Sequence, residues 1–272
     1  MKLIAIDMDG TLLNDENIVT TNQLEFLIDL SNADDYTLAM ATGRPIEGIK
    51  RMLPQKLHER VYKIALNGAL LLGKDDEVIC ADYISHDNFN LVLSYADEVQ
   101  GKVCVLDEYR YYHTTKKMTE LMEYDVSLLK MEMEYLDIEE VANKEDITKI
   151  LIFVEEGLMK QARESIPTEL YDSYEVIFSQ DWLIEFLPKG VNKGTSLKRL
   201  MEKLDIETHK VYGIGDGLND IALLQTSGHA VAMGNSKSEI LKIADFISRD
   251  NNSDGVKYAI ENYVFKGDTE IN

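Results

Sequence analysis

Several features that mark other protein classes are scarce in this 272-residue chain. Its two cysteines are too few for a disulfide framework or a thiolate metal site, and four prolines exclude a collagen-like chain. No apolar run approaches the roughly 18 residues of a membrane span, and aspartates interrupt the N-terminal apolar segment before it could form a signal peptide. Basic residues are outnumbered 28 to 49 by acidic ones, which gives a net charge of −21. We therefore expect a cytoplasmic globular protein that binds neither nucleic acid nor a membrane, since both require a basic surface.

Strands and helices are predicted to alternate at both ends of the chain. Towards the N-terminus, short apolar strands are predicted at 3–6, 36–41 and 61–66, with helices at 20–30 and 46–53. Towards the C-terminus, strands are predicted at 210–214, 230–233 and 245–247, with helices at 195–204 and 220–225. This alternation is typical of an α/β fold with a doubly wound, mostly parallel, Rossmann-like sheet.

The middle of the chain has a different, α+β pattern. Its predicted elements are helices at 89–99, 115–131 and 158–170, a hairpin at 103–112, and strands at 147–154, 174–178 and 183–187. Residues 83–187 hold 23 acidic and 9 basic residues, a net charge of −14. We predict one α/β core, formed by residues 1–82 and 188–272, that is interrupted by an α+β domain at 83–187.

The strongest motif is Asp-Met-Asp-Gly-Thr-Leu, which begins at Asp7 directly after the first strand. Residues i and i+2 of a strand point the same way, so Asp7 and Asp9 should emerge together at the carboxyl end of the sheet, where open α/β sheets bind ligands. Adjacent carboxylates repel each other unless a cation or a proton intervenes, and Mg²⁺ suits such oxygen ligands. An Asp-Gly turn without a ligand is the alternative, but the preceding apolar strand and the following Gly-Thr-Leu favour a site.

A second acidic cluster, Gly-Asp-Gly-Leu-Asn-Asp, begins at Gly215 after another predicted strand. The topology of such a sheet can bring Asp216 next to Asp7, where its carboxylate would complete a metal site. The alternative is that Asn219 and Asp220 only cap the following helix.

Two further segments stand at the starts of helices. Thr42 and Gly43 offer a hydroxyl and free backbone amides, which together can bind an anion, although a lone Thr-Gly is also an ordinary helix cap. Lys193 is a point charge able to neutralise a phosphoryl oxygen, although a single lysine is more often a surface residue.

Taken in order, these four segments resemble the haloacid dehalogenase-like hydrolase superfamily. The inserted α+β domain resembles a type IIB cap and, with Asn67-Gly68-Ala69 before it and Lys193 after it, indicates the Cof-type phosphatases. The resemblance implies that Asp7 is a nucleophile that forms an aspartyl-phosphate, and that Asp9 protonates the leaving oxygen and later deprotonates the attacking water. It also implies Mg²⁺ bound by Asp7, the Asp9 backbone carbonyl and Asp216, with Asp220 in support, and a phosphoryl group held by Thr42, the Gly43 amide, Lys193 and Asn219.

These expectations predict a Mg²⁺-dependent phosphatase whose partner is a small phosphorylated metabolite, such as a sugar phosphate. Two alternatives remain open. The first is a phosphomutase or phosphotransferase that passes the group from the same aspartyl-phosphate to another hydroxyl, and the second is a non-catalytic phosphate-sensing protein. The sequence indicates neither the physiological substrate nor an oligomeric state.

Overall fold

The computed structural model describes residues 1–266. Its strands are β1 Lys2–Asp7, β2 Tyr36–Ala41, β3 Tyr62–Ala65, β4 Leu70–Leu72, β5 Val78–Ala81, β6 Lys102–Leu106, β7 Tyr111–His113, β8 Met133–Tyr135, β9 Lys149–Phe153, β10 Tyr174–Gln180, β11 Leu183–Pro188, β12 Val211–Gly215, β13 His229–Ala232 and β14 Phe246–Ile247. Its α-helices are α1 Thr21–Ser31, α2 Ile46–Met52, α3 Gln55–His58, α4 Phe89–Glu98, α5 Glu120–Leu129, α6 Ile138–Ala142, α7 Met159–Ser165, α8 Thr168–Ser173, α9 Lys193–Leu204, α10 Ile221–Thr226, α11 Ser238–Leu241 and α12 Gly255–Ala259. Within this part of the chain, no helix has the length and apolar character needed to cross a membrane.

The chain divides into two compact units. The first comprises Met1–Arg44, Ile49–Cys80 and the chain from Asn192 onward, and the second comprises Pro45–Gly48 and Ala81–Val191. The domain boundaries at 82/83 and 187/188 stay a prediction, and residues 267–272 of the predicted core lie outside the described residues.

A mixed eight-stranded sheet forms the centre of the first unit, in the order β14-β13-β12-β1-β2-β3-β4-β5. The strands from β14 to β3 run parallel to their neighbours, and β4 is antiparallel to β3. The four residues from Leu3 to Ile6 are fully buried, as expected for a parallel strand that is covered on both faces. The prediction of a doubly wound, mostly parallel α/β core with an inserted α+β domain is confirmed.

Helix α9 packs against one face of this sheet. Its buried Leu197 and Leu200 share an apolar cluster with Leu3 and Ala5 of β1. Each leucine buried in this way contributes about 1.5–3 kcal/mol. This packing holds the first turn of α9, which begins at Lys193, at the centre of the unit.

The second unit contains a six-stranded sheet in the order β10-β11-β9-β6-β7-β8. Its pairs are antiparallel except for β7 and β8, and β6 with β7 is the predicted hairpin. An apolar cluster joins Val92 and Tyr95 of α4 to Ile150 of β9 and Phe186 of β11. The second unit therefore has a hydrophobic core of its own.

Two predicted helices differ from the structure, and two strands of the first unit were not predicted. The helix predicted at 158–170 is two helices, α7 and α8, because Pro167 cannot donate a helical hydrogen bond and disfavours helix at the residue before it. The helix predicted at 115–131 begins only at Glu120, where the Thr119 side chain accepts a hydrogen bond from the Met122 amide. The missed strands are β4 and β5, which lie between β3 and the second unit in the sequence.

Candidate active site

Asp7 and Asp9 lie at the carboxyl end of β1, the strand between β12 and β2. Asp7 is buried, whereas the Asp9 side chain is 46% exposed. Gly10, which follows, has a φ of +78°, and a Cβ built on it would lie 2.6 Å from Oδ2 of Asp216. Only glycine therefore allows the loop after β1 to approach the loop after β12 this closely.

Lys193 is fully buried at the first position of α9. Its Nζ donates to Oδ1 of Asp7 at 2.5 Å and to Oδ1 of Asp220 at 2.7 Å. Burial by itself would lower the pKa of Lys193, but the negative charges of Asp220 and Asp7 outweigh burial and raise it. Lys193 is therefore a charged lysine in the interior, which rules out the surface-residue alternative.

The loop after β12 arranges the second acidic cluster. Oδ1 of Asp216 accepts a hydrogen bond from the Thr11 hydroxyl at 2.8 Å. Oδ2 of Asp220 accepts from the backbone amides of Asp216 at 3.1 Å and Gly217 at 2.9 Å. Asp220 thus orders the loop before it and pairs with Lys193, whereas its side chain makes no capping hydrogen bond to the following helix α10.

Three carboxylates converge at this point. Asp7, Asp216 and Asp220 each offer an oxygen, and these oxygens all lie within 4.8 Å of one another. Burial raises the pKa of Asp7 well above its ordinary value and Asp220 raises it further, while Lys193 lowers it. Burial also raises the pKa of Asp216, to about 6. The hydrogen bond from Thr11 lowers this pKa, and the negative charge of Asp220 raises it. Three clustered carboxylates with one lysine carry excess negative charge, so this donor set fits a hard divalent cation such as Mg²⁺.

Thr42, Gly43 and Asn219 are brought together around Asn67. The backbone amide of Asn67 donates to the Thr42 carbonyl at 2.9 Å, and Oδ1 of Asn67 accepts from Nδ2 of Asn219 at 3.2 Å. A Cβ built on Gly43 would lie 3.1 Å from the same Oδ1 atom, so Gly43 also abuts Asn67. The predicted phosphate-binding residues therefore form two groups. Thr42, Gly43 and Asn219 lie around Asn67, and Lys193 lies among its carboxylates. The peptide bond between Asn219 and Asp220 links the two groups.

Three residues that these contacts single out were given no role from the sequence. Arg44 donates to both carboxylate oxygens of Asp9. Asn67 has a φ of 53°, in the left-handed region that asparagine tolerates, and its Asn-Gly dipeptide was a visible turn signal. Nδ2 of Asn235 donates to the Gly10 carbonyl at 2.8 Å, but nothing in the sequence links these positions, which are 225 residues apart.

This arrangement suits transfer of a phosphoryl group. A buried carboxylate can act as nucleophile when a neighbouring cation offsets its repulsion from an anionic ester. An exposed carboxylate two residues away can exchange protons with a substrate or with water. Donors at the ends of neighbouring strands can hold the equatorial oxygens of the transferring group.

Comparison with known proteins points the same way. A family model described as haloacid dehalogenase-like hydrolase matches residues 4–260. YxeH of Bacillus subtilis, provisionally named a phosphatase, is 31% identical over 266 residues, with 97% of this chain and 98% of YxeH covered. YcsE of the same organism, named a 5-amino-6-(5-phospho-D-ribitylamino)uracil phosphatase, is 28% identical over 267 residues and covers 97% and 96% of the two chains. Among solved structures, a haloacid dehalogenase-like hydrolase from Bacteroides thetaiotaomicron superposes with a TM-score of 0.84 at 25% identity, covering 96% of this chain and 98% of that one.

Proposed function

The chain belongs to the haloacid dehalogenase-like hydrolase family and is a phosphatase, and we propose that it hydrolyses small phosphomonoesters with Mg²⁺ through an aspartyl-phosphate on Asp7. The observation that carries this proposal is the cluster of three carboxylates at the carboxyl end of β1, two of which pair with one buried lysine. Asp9, the exposed carboxylate beside this cluster, is the proposed acid and base.

In the first half of the proposed reaction, a carboxylate oxygen of Asp7 attacks phosphorus and the bond from phosphorus to the leaving oxygen breaks. The leaving oxygen keeps the electron pair of the broken bond and takes a proton from Asp9. In the second half, water gives a proton to Asp9 and attacks phosphorus, and the bond to the Asp7 oxygen breaks with its electron pair returning to Asp7. One residue thus serves both halves, first as acid and then as base.

The proposed ligands of Mg²⁺ are the Asp7 and Asp216 carboxylates and the Asp9 backbone carbonyl, with Asp220 in support. When bound, the ion would neutralise negative charge on the ester oxygens and on Asp7. Lys193 holds Asp7 in place through its 2.5 Å contact and adds positive charge beside it. Thr42, Gly43 and Asn219 are the proposed donors for the remaining phosphoryl oxygens.

We propose that the second compact unit is the cap domain predicted from the sequence. Its hairpin turn is ordered by Asp107, which accepts hydrogen bonds from the backbone amides of Tyr109 at 2.9 Å and Arg110 at 2.7 Å. Oδ2 of Asp107 also accepts a hydrogen bond from Nζ of Lys144 at 2.8 Å, so both carboxylate oxygens of Asp107 have partners within the second unit. Tyr109, at the tip of this turn, is 52% exposed.

The substrate class that we propose is a small phosphorylated sugar or sugar alcohol. The name of YcsE specifies a phosphate ester on a ribityl chain, and the acidity of residues 83–187 would repel large polyanions. A panel of phosphorylated metabolites, assayed with Mg²⁺ and with a chelator, tests both the class and the ion. Hydrolysis of none of the panel with Mg²⁺ would refute the proposal, and transfer to an added sugar hydroxyl in preference to water would replace it with a phosphotransferase.

The nucleophile is tested by Asp7→Asn assayed with p-nitrophenyl phosphate. We expect no Mg²⁺-dependent hydrolysis above background. Retained hydrolysis in this variant would show that the nucleophile is another residue.

A further inference from the structure

Arg44 forms a bidentate ion pair with Asp9, the proposed acid and base. Its Nε lies 2.9 Å from Oδ2 of Asp9 and 3.1 Å from Oδ1, and its Nη2 lies 2.7 Å from Oδ1. Both carboxylate oxygens are therefore engaged by one planar guanidinium group. Such a fork fixes the plane of a carboxylate as well as its distance.

The guanidinium side of this pair is firmly anchored. The Arg44 side chain is 7% exposed, whereas the Asp9 side chain is 46% exposed. The backbone amide of Arg44 donates to Oγ1 of Thr42 at 3.1 Å, and its carbonyl accepts from the Leu66 amide at 3.1 Å. A fixed buried cation thus holds an exposed carboxylate that still has access to water.

A guanidinium group only donates hydrogen bonds, so the paired Asp9 accepts at both oxygens. The fork therefore holds the Asp9 carboxylate as a hydrogen-bond acceptor in one orientation, and an oriented acceptor is what a water molecule needs from a base. In the proposed reaction, Asp9 takes a proton only in the second half, from the water that hydrolyses the aspartyl-phosphate.

We propose that Arg44 is a positioning residue that orients the Asp9 carboxylate towards the attacking water in the second half of the reaction. In this step the water oxygen bonds to phosphorus, its proton passes to Asp9, and the bond from phosphorus to Asp7 breaks with its electron pair returning to Asp7. The inference rests on the proposed function, because it requires both the aspartyl-phosphate and the role of Asp9.

The two halves can be separated with p-nitrophenyl phosphate, because its leaving group departs as a stable phenolate and needs no proton. We would follow p-nitrophenol release in rapid-mixing experiments with Mg²⁺ and measure phosphorylated protein after acid quench by intact mass. Arg44→Met keeps much of the side-chain volume and removes the fork, and Arg44→Lys keeps the charge alone. Asp9→Asn and Asp7→Asn are run beside them.

For Arg44→Met we expect a burst of about one equivalent of p-nitrophenol at the wild-type rate, and then steady-state turnover about 10- to 100-fold slower than wild type. Phosphorylated protein should accumulate during that slow phase, and Arg44→Lys should fall between Arg44→Met and wild type. A purely structural role would instead slow the burst and the steady state together.

Equal slowing of the two phases in both Arg44 variants, with no phosphorylated protein trapped, would overturn the inference. The proposed function is judged separately. If Asp9→Asn accumulates phosphorylated protein and the Arg44 variants do not, only the role of Arg44 is wrong. If Asp7→Asn still turns over, the aspartyl-phosphate is wrong and the inference falls with it.

Discussion

The Nζ atom of Lys193 lies 2.5 Å from Oδ1 of Asp7, and both side chains are buried. The same Nζ lies 2.7 Å from Asp220, so one cation serves two carboxylates. Removing one partner of a buried ion pair leaves uncompensated charge in the interior, which is more costly than losing a surface pair. We therefore expect Lys193 to affect both the stability of the protein and its catalytic activity.

Lys193→Met should destabilise the metal-free protein by about 3–5 kcal/mol, because two buried carboxylates lose their cation. Mg²⁺ should restore part of that loss, since it can neutralise the same oxygens. Urea denaturation with a chelator and with Mg²⁺ measures both effects. Lys198→Met, at an exposed position of the same helix, is the matched control and should stay within about 0.5 kcal/mol of wild type. A Lys193→Met protein as stable as wild type without metal would contradict the prediction.

Stabilisation by Mg²⁺ should increase between pH 5 and pH 7.5. The pKa of Asp216 is raised to about 6 in the metal-free protein, chiefly by burial, so folding favours its protonated form. Its contribution to metal-free stability is therefore full below the unfolded-state pKa and is lost as the pH rises through about 6. Because Mg²⁺ binds the carboxylate, the shift in melting temperature that it causes should be larger at pH 7.5 than at pH 5.

Asp216→Asn is the control for this pH dependence. Without the ionisable group, metal-free stability should vary less with pH between 5 and 7, and Mg²⁺ should raise the melting temperature little at any pH. If Mg²⁺ raised the melting temperature of Asp216→Asn as much as that of wild type, Asp216 would not be a ligand of the metal.

Gly10→Ala should weaken Mg²⁺ binding by about 10- to 100-fold, the range seen when the surroundings of a metal ligand are disturbed. The added Cβ would lie 2.6 Å from Oδ2 of Asp216, at a φ of +78° that alanine rarely adopts. Isothermal titration of the metal-free protein measures the affinity. Gly157→Ala, where a Cβ would meet no atom within 4 Å, should bind Mg²⁺ as wild type does, and equal affinities in the two variants would refute the argument.

Asn67→Gly should raise KM for p-nitrophenyl phosphate about tenfold, because it removes the amide that bonds to Asn219 and abuts Gly43. Glycine tolerates the φ of 53° at this position, so the backbone should be kept. Asn67→Ala removes the same amide but should also lose about 1 kcal/mol of stability to backbone strain. A normal KM in Asn67→Gly would show that the amide does not position the phosphate-binding residues.

Short-range rules predicted the parts of the molecule where neighbouring residues decide the structure. The position of Asp7 follows from one apolar strand, and α9 follows from the spacing of Leu197 and Leu200. Strand β4 has only three residues, which is too short for any periodicity to show. The break between α7 and α8 did have a local signal, Pro167, which the apolar spacing around it outweighed.

The site was less predictable where distant segments meet. The alternatives for Lys193, a surface residue or a buried cation, differ only in what the rest of the fold places around it. The contact of Asn235 with the Gly10 carbonyl and the fork from Arg44 to Asp9 depend on loops from different strands. A single sequence shows the residue types at such positions but not their partners.

The most direct test of the proposed mechanism is the site of phosphorylation during turnover. Asp9→Asn protein would be mixed with p-nitrophenyl phosphate and Mg²⁺, quenched in acid and mapped by peptide mass spectrometry. We predict one phosphoryl group on the peptide that contains Asp7, and none when Asp7→Asn is added to the same protein. Phosphate on another residue, or turnover at the wild-type rate with no phosphorylated peptide, would contradict the proposed mechanism.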